Sequence, residues 1–151
     1  MSAASVVPAA PIDARLHAAL TALARSAGYV PPPTAERWGP LTHVALAPSG
    51  ALVGFVTGHV VLDEAELHFV VVAPEARRSG LGRGLLAAFE AAAEAAGAAR
   101  LFLEVHEANA PARALYRARG WDEVGRRRGY YADGGAAVLM ARSRAHPPDV
   151  P

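Results

Sequence analysis

The sequence predicts one mixed α/β domain, and three observations carry that prediction. The 151 residues suit one compact unit and are short for two. Apolar residues at helical spacing take turns along the chain with short apolar runs bounded by turn residues, which separates helices from strands. One helical stretch, residues 80–96, lies between apolar runs at 67–72 and 101–106. That order is a parallel crossover in a sheet whose other strands meet as hairpins.

Taken in order, Ile12, Leu16, Leu20 and Leu23 recur at helical spacing and predict an amphipathic helix over 11–27, stopped by Gly28. Pro31, Pro32 and Pro33 forbid its continuation. Residues 41–47 and 51–62 predict strands on either side of the turn residues Pro48, Ser49 and Gly50. Asp63 and Glu64 make a second turn. The run that follows, 67–72, is apolar on both faces through Phe69, Val70, Val71 and Val72, as an interior strand is. The helix over 80–96 ends at Gly97, a strand follows over 101–106, and a short helix over 110–119 ends at Gly120. Residues 121–128 and 136–142 predict a last hairpin across Asp133, Gly134 and Gly135. The expected domain is 11–142, between a flexible N-terminal tail, 1–10, and a disordered proline-rich C-terminal tail, 143–151.

Composition removes several classes of function. A net charge of +1 with 52% hydrophobic and 19% charged residues belongs to a globular protein and points to no nucleic-acid partner. No cysteine is present, which excludes disulfides, thiolate metal sites and a cysteine nucleophile. All 15 basic residues are arginine, so there is no Schiff-base lysine and no phosphate-loop lysine. The first residues lack the basic segment of a secretory signal, and no run reaches the roughly 20 apolar residues that a bilayer span needs. A soluble cytoplasmic protein with no membrane partner is expected. His59, His68 and His106 show no ligand spacing, so no metal is expected, and no GxSxG marks a serine nucleophile.

The stretch PEARRSGLGRGLLAAF, residues 74–89, carries the clearest chemistry. A helix entrance exposes unpaired N–H groups and about half a positive charge, so it holds a phosphate where no side chain blocks the approach. Gly80, Gly82 and Gly84 remove side chains there, and Arg77, Arg78 and Arg83 add cationic donors. Charge-assisted hydrogen bonds of about 1.5–3 kcal/mol each make a diphosphate the expected ligand. The structural alternative is a glycine-rich turn that lets the helix pack closely on the sheet. A P-loop is excluded because GxxxxGK[ST] needs a lysine, and the dinucleotide fingerprint fails because Leu85 stands at its third glycine.

Arg77, Arg78, Ser79, Gly80, Leu81 and Gly82 match the [QR]xxGx[GA] signature of the GNAT superfamily of acyltransferases, and the chain resembles that family through VVLDEAEL (60–67), LEVHEANAPARALYRARGW (103–121) and RRRGYY (126–131). Within it the chain is similar to the ribosomal-protein-alanine N-acetyltransferases, over about 53–140. The resemblance implies a mostly antiparallel mixed sheet of six to seven strands with a central β-α-β crossover and helices on both faces. It further implies acetyl-coenzyme A as cosubstrate, with its pyrophosphate on residues 77–84 and its pantetheine arm along the main chain of Val70, Val71 and Val72. The implied acceptor is a protein or peptide N-terminus, a ribosomal protein among the candidates, and the implied assembly is a monomer or homodimer.

Acetyl transfer to an amine needs a neutral amine, a stabilised carbonyl oxygen and a proton for the departing thiolate. Glu104 interrupts an apolar strand opposite Leu103 and Val105, where a carboxylate needs a partner or a purpose. It is either half of an arginine ion pair or, by resemblance, the general base. At pH 7 an α-amine of pKa about 7.7–8.0 loses its proton for ~1 kcal/mol, whereas a lysine near 10.4 needs ~4.6 kcal/mol, which favours a terminal amine. A carboxylate near pKa 4.3 is a weak base, so Glu104 must be buried or act through an ordered water. Tyr116 sits at helical spacing with Ala112 and Leu115 as a core aromatic, and the resemblance makes it the proton donor to the thiolate. Asn109 is placed to cap the helix at 110, with Pro111 in its first turn, and by resemblance it also touches the pantetheine arm. The N–H groups near Val71 and Val72 are candidates to face the carbonyl oxygen.

Two readings compete with a peptide acceptor: a small amine or antibiotic acceptor, and a non-catalytic acyl-coenzyme A-binding module. Arg126, Arg127 and Arg128 form either a solvated edge or a patch that steers an acidic peptide or the coenzyme phosphates. Tyr130 and Tyr131 either wall the acceptor groove or pack the last hairpin. Where family members commonly carry an acidic pair before the last strand, this chain has Gly134, Gly135 and Ala136, so the acceptor side departs from the pattern while the coenzyme side keeps it.

Overall fold

A computed structural model describes residues 4–9, 11–29, 34–35 and 38–143. In chain order these form β1 (Ser5–Pro8), α1 (Ala14–Ser26), β2 (His43–Leu46), β3 (Leu52–Val61), β4 (Glu64–Val72), a 3-10 turn (Pro74–Ala76), α2 (Leu81–Ala95), β5 (Arg100–His106), α3 (Ala110–Ala118), β6 (Asp122–Arg127) and β7 (Ala137–Ser143). The strands make one seven-stranded sheet in the order β1-β2-β3-β4-β5-β7-β6. Every neighbouring pair is antiparallel except β4 and β5, which run parallel across the α2 crossover.

Both faces of the sheet are covered. Asp13 accepts a hydrogen bond from the Leu16 N–H at 2.8 Å and starts α1. The helix lays Leu20 and Ala24 against Val44, Phe55 and Val71. On the other face α2 buries Leu85, Leu86, Phe89 and Ala93 against Val56, Leu101 and Leu103. Glu90 is the one buried carboxylate among the described residues, 2% exposed. Its Oε1 pairs with Arg119 at 2.5 Å, and its Oε2 accepts from Trp121 Nε1 at 2.9 Å. The bonds tie α2 to the end of α3. Among the described residues no helix is long and apolar enough to cross a membrane.

The expected N-terminal tail is in part a strand. Val6 and Val7 are half-buried in β1, which pairs antiparallel with β2 from Ser5↔Leu46 to Pro8↔His43. Pro8, without an N–H, is tolerated because β1 is an edge strand. Ser143, assigned to the C-terminal tail, closes β7. The remainder of that tail and the Pro31–Pro33 linker lie outside the described residues.

The feature that makes the site is a parting of strands. Only Glu64, Ala65 and Glu66 of β4 pair with β5, opposite Arg100, Leu101 and Phe102. Beyond them β4 stays with β3 to Val72↔Gly54 and β5 stays with β7 to His106↔Ala137. The β3–β4 register jumps from Gly58↔Leu67 to Thr57↔Phe69, a bulge that holds His68, and bulges bend and twist the strand that carries them. Gly58 is required there, since a Cβ would lie 2.6 Å from Phe89 Cε1.

Candidate active site

The open edge of β4 is the floor of the site. Val70, Val71 and Val72 pair on one side with Val56, Phe55 and Gly54, and N–H and C=O groups along a strand alternate in direction. Some of their main-chain groups therefore point into the gap, where a ligand amide can satisfy them.

The gap leads to the entrance of α2. The chain turns through Arg78 at φ 62° and Gly80 at φ 82°, both left-handed, which makes the concave run of N–H groups that binds anions. The first helical bond runs from the Gly84 N–H to the Gly80 carbonyl at 3.0 Å. The N–H groups of Leu81, Gly82 and Arg83 are thus the unpaired ones of the first turn. Arg77 Nε donates to the Val72 carbonyl at 3.2 Å, joining this loop to β4. A groove of about 540 Å³ lies between these residues and Asn109, Pro111, Ala112 and Leu115 of the α3 side. Gly82 keeps it open, because a Cβ would sit 3.4 Å from Leu115 Cδ2 and 3.9 Å from Val72 Cγ2.

The predicted loop residues divide. Arg77, Arg78, Gly80, Leu81 and Gly82 line that groove. Gly84 instead faces β1, where a Cβ would lie 3.6 Å from Val6 Cγ2, and borders with Ser79 a different hollow beneath that strand. The Ser79 hydroxyl is spent on the Ala76 carbonyl. Arg83 is exposed.

A chamber of about 250 Å³ continues the groove inward, sharing with it Val72, Arg77, Gly82, Asn109, Ala112 and Leu115. Asn109 caps α3 by accepting from the Ala112 N–H at 3.2 Å, and it faces the groove as well. Tyr116 closes the inner end. Its ring is 7% exposed beside Trp121, and its hydroxyl is bonded to no described residue. Burial, and then Tyr29, push its pKa well above the ordinary phenol value. Tyr29 lines the same chamber and meets Phe69 edge-on at 5.0 Å. Sequence reasoning missed it, for its only signal is an aromatic ring after the stop glycine of α1.

Glu104 approaches the gap from the opposite face. Leu101, Leu103 and Val105 are buried with Tyr116 under α2, whereas Phe102, Glu104 and His106 alternate onto the α1 side. The Glu104 side chain is 28% exposed and its Oε1 lies 3.7 Å from Arg127 Nη2. Tyr131 stands nearby, its pKa raised by burial and next by the charge of Glu104. It stacks on His106 at 4.7 Å and meets Tyr130 edge-on at 5.1 Å. Arg127 of edge strand β6 pairs with Glu104, whereas Arg126 bonds Glu123, which also faces Arg113 and Arg117 of α3, so the two arginines serve opposite faces of the strand. His59 and His68, on the paired strands β3 and β4, lie ring to ring at 5.1 Å. Among the described residues no three His, Asp or Glu side chains gather as a metal site.

Comparison with known proteins agrees with this geometry. The Acetyltransferase (GNAT) family matches residues 15–121. The [ribosomal protein bS18]-alanine N-acetyltransferase of Escherichia coli K12 is 43% identical over 99 residues, 64% of this chain and 67% of that protein. An N-alpha-acetyltransferase of Sulfurisphaera tokodaii is 42% identical over 85 residues, 56% of this chain and 47% of its own. The crystal structure of the ribosomal-protein-S18-alanine N-acetyltransferase from Escherichia coli superposes with a TM-score of 0.82 at 29% identity, covering 97% of both chains. The NatC complex bound to Gag peptide and CoA shares the fold, with a TM-score of 0.83 at 17% identity over 95% of this chain and 100% of that one. A strand gap between a glycine-opened helix entrance and a buried tyrosine, on a chain matched over these lengths, places this protein in the GNAT family of N-acetyltransferases.

Proposed function

We propose that the protein transfers the acetyl group of acetyl-coenzyme A to the N-terminal α-amine of a protein, by direct attack with both substrates bound. The observation that carries this is the continuous groove from the α2 entrance to Tyr116, floored by the open edge of β4. The alanine N-acetyltransferase names of its relatives support the choice of acceptor.

The cosubstrate supplies an acyl thioester, and the rest is the work of the chain's own side chains and N–H groups. The first-turn N–H groups of α2, with Arg77 and Arg78, bind the diphosphate. Main-chain groups of Val70, Val71 and Val72 bind the amide-bearing arm and present an N–H to the thioester carbonyl oxygen as negative charge develops there. Glu104, exposed and ion-paired, takes the amine proton through an ordered water. The amine nitrogen forms its bond to the carbonyl carbon, the carbon–sulfur bond breaks, and Tyr116 gives the sulfur its hydroxyl proton. From reference values this last transfer is uphill by ~2 kcal/mol. Burial raises the phenol further and would raise a thiol in the same chamber too.

Incubation with acetyl-coenzyme A and panels of peptides and small amines, read by mass spectrometry, tests the proposal. Acetylation of peptide α-amines is expected, and Glu104→Gln should lower kcat about 100-fold as a lost general base does. Acetylation of small amines alone would end the peptide reading. The replaced Gly134–Ala136 segment makes small amines the second reading. Binding of coenzyme A without any turnover would leave an acyl-coenzyme A-binding module.

A further inference from the structure

His106 and Asp133 have no part in the chemistry above, yet every polar atom of the histidine ring is used. Nδ1 accepts from the Ala108 N–H at 3.0 Å, which leaves the ring proton on Nε2. That nitrogen donates to both carboxylate oxygens of Asp133, at 2.8 and 3.0 Å. The carboxylate in turn accepts from the Gly135 N–H at 2.8 Å, and the Gly135 carbonyl accepts from the Tyr131 N–H at 3.1 Å. The Tyr131 ring stacks on the imidazole with the planes 22° apart. The ring at the end of β5 therefore holds the Tyr131–Gly135 part of the turn that joins β6 to β7, while Glu107 holds Ala136.

The turn is shaped around this ring. A Cβ on Gly135 would run into the imidazole and lie 2.9 Å from Asp133 Oδ1, and Gly134 takes a left-handed φ of 83°. Gly135 is the residue that leaves room for the histidine, and Gly134 sets the backbone beside it. His106 lies two residues beyond Glu104 on the same face of β5, and Tyr131 is close enough to Glu104 for its charge to act on the phenol.

We propose that His106 and Asp133 form a positioning pair that holds Tyr131 beside Glu104 and so sets the affinity for the amine acceptor, without acting on the coenzyme groove. This rests on the acceptor entering at Glu104. The pair is partly exposed, with side chains 27% and 64% accessible, so its loss removes little global stability. It acts on the shape of one loop.

The test uses the full chain and three variants, His106→Ala, His106→Gln and Asp133→Ala, with a peptide of N-terminal alanine as acceptor. The alanine variants should each raise the peptide KM about tenfold, the scale of one charge-assisted hydrogen bond, with the coenzyme A Kd inside about twofold by calorimetry. The double variant should be no worse than either single one. His106→Gln, which keeps an N–H near the Nε2 position, should recover most of the affinity. Amide exchange at Gly135 should quicken in both alanine variants. A peptide KM that stays within about twofold, or a coenzyme Kd that weakens in the same proportion, would overturn the pair. If the wild-type chain acetylates only small amines, the peptide reading falls and the same comparison on the amine KM judges the pair. Unchanged Gly135 exchange in His106→Ala overturns it with no acceptor present.

Discussion

Tyr116→Phe separates chemistry from stability in one substitution. The phenol is 7% exposed and lines the inner chamber, and its hydroxyl is bonded to no described residue, so its removal strands no partner. Removing it should leave the thermal midpoint within about 2 °C of wild type. In the proposed function the same change deletes the proton donor to the leaving sulfur, and general acid catalysis is worth about 100- to 10,000-fold. We expect kcat to fall at least about 100-fold, roughly 3 kcal/mol of barrier, with the coenzyme A Kd unchanged. Thiol release at saturating substrates, followed with a chromogenic disulfide, measures the first effect and calorimetry the second. A kcat within about threefold of wild type would refute the assigned role.

The alkaline limb gives an independent sign. Burial raises the folded phenol above its unfolded value near pH 10. The stability this provides is present below about pH 10 and is lost as the pH climbs from there through the raised folded value. Tyr116→Phe should therefore unfold less steeply with pH above about 10 than the wild type does.

Three other variants address the remaining parts of the structure. Glu90→Ala breaks a buried pair and strips Trp121 Nε1 of its acceptor; denaturant unfolding should show a loss of about 3 kcal/mol, the low end for a buried pair because Arg119 keeps some solvent. Gly58→Ala drives a methyl into the Glu66 main-chain carbonyl and into Phe89 at the bulge and should cost at least about 1–3 kcal/mol by the same method, with a parallel loss of coenzyme affinity as the strand gap deforms. Arg78→Gly removes a guanidinium while relieving a left-handed non-glycine residue; calorimetry should give coenzyme A binding about tenfold weaker, a difference that shrinks at high salt, with no loss of thermal stability.

Periodic features of the chain could be read directly. The apolar spacing of α1 and α2 and the alternation around Glu104 predicted elements whose ends differ from the observed ones by a few residues, because burial on one face is written in the sequence at the period of the element. Three glycines spaced by two could not all serve one groove, since a helix rotates about 100° per residue and Gly82 and Gly84 end up on opposing sides. That consequence was available from spacing, and Gly84 is accordingly against Val6. Other features depend on distant partners. Tyr29 meets Tyr116 only once the gap has formed, Glu90 takes its meaning from Arg119 and Trp121, and His106 from a carboxylate 27 positions away. The edge strand β1 has only two half-buried valines, too short a run to establish a period.

The brief contact between β4 and β5 has a mechanical side. Four strands, β1 to β4, and the other three are joined along the middle of the sheet by three residue pairs, with the Asp63 carbonyl at one end accepting from the Ala99 and Arg100 N–H groups. Without coenzyme, amide protons flanking this seam should exchange before those of β3 or β7. A ligand lodged in the gap supplies the absent rungs, so saturating coenzyme A at 100 times its Kd would add about 2.7 kcal/mol to the stability of the fold. If coenzyme A binds there as proposed, holding the donor and completing the sheet are one event.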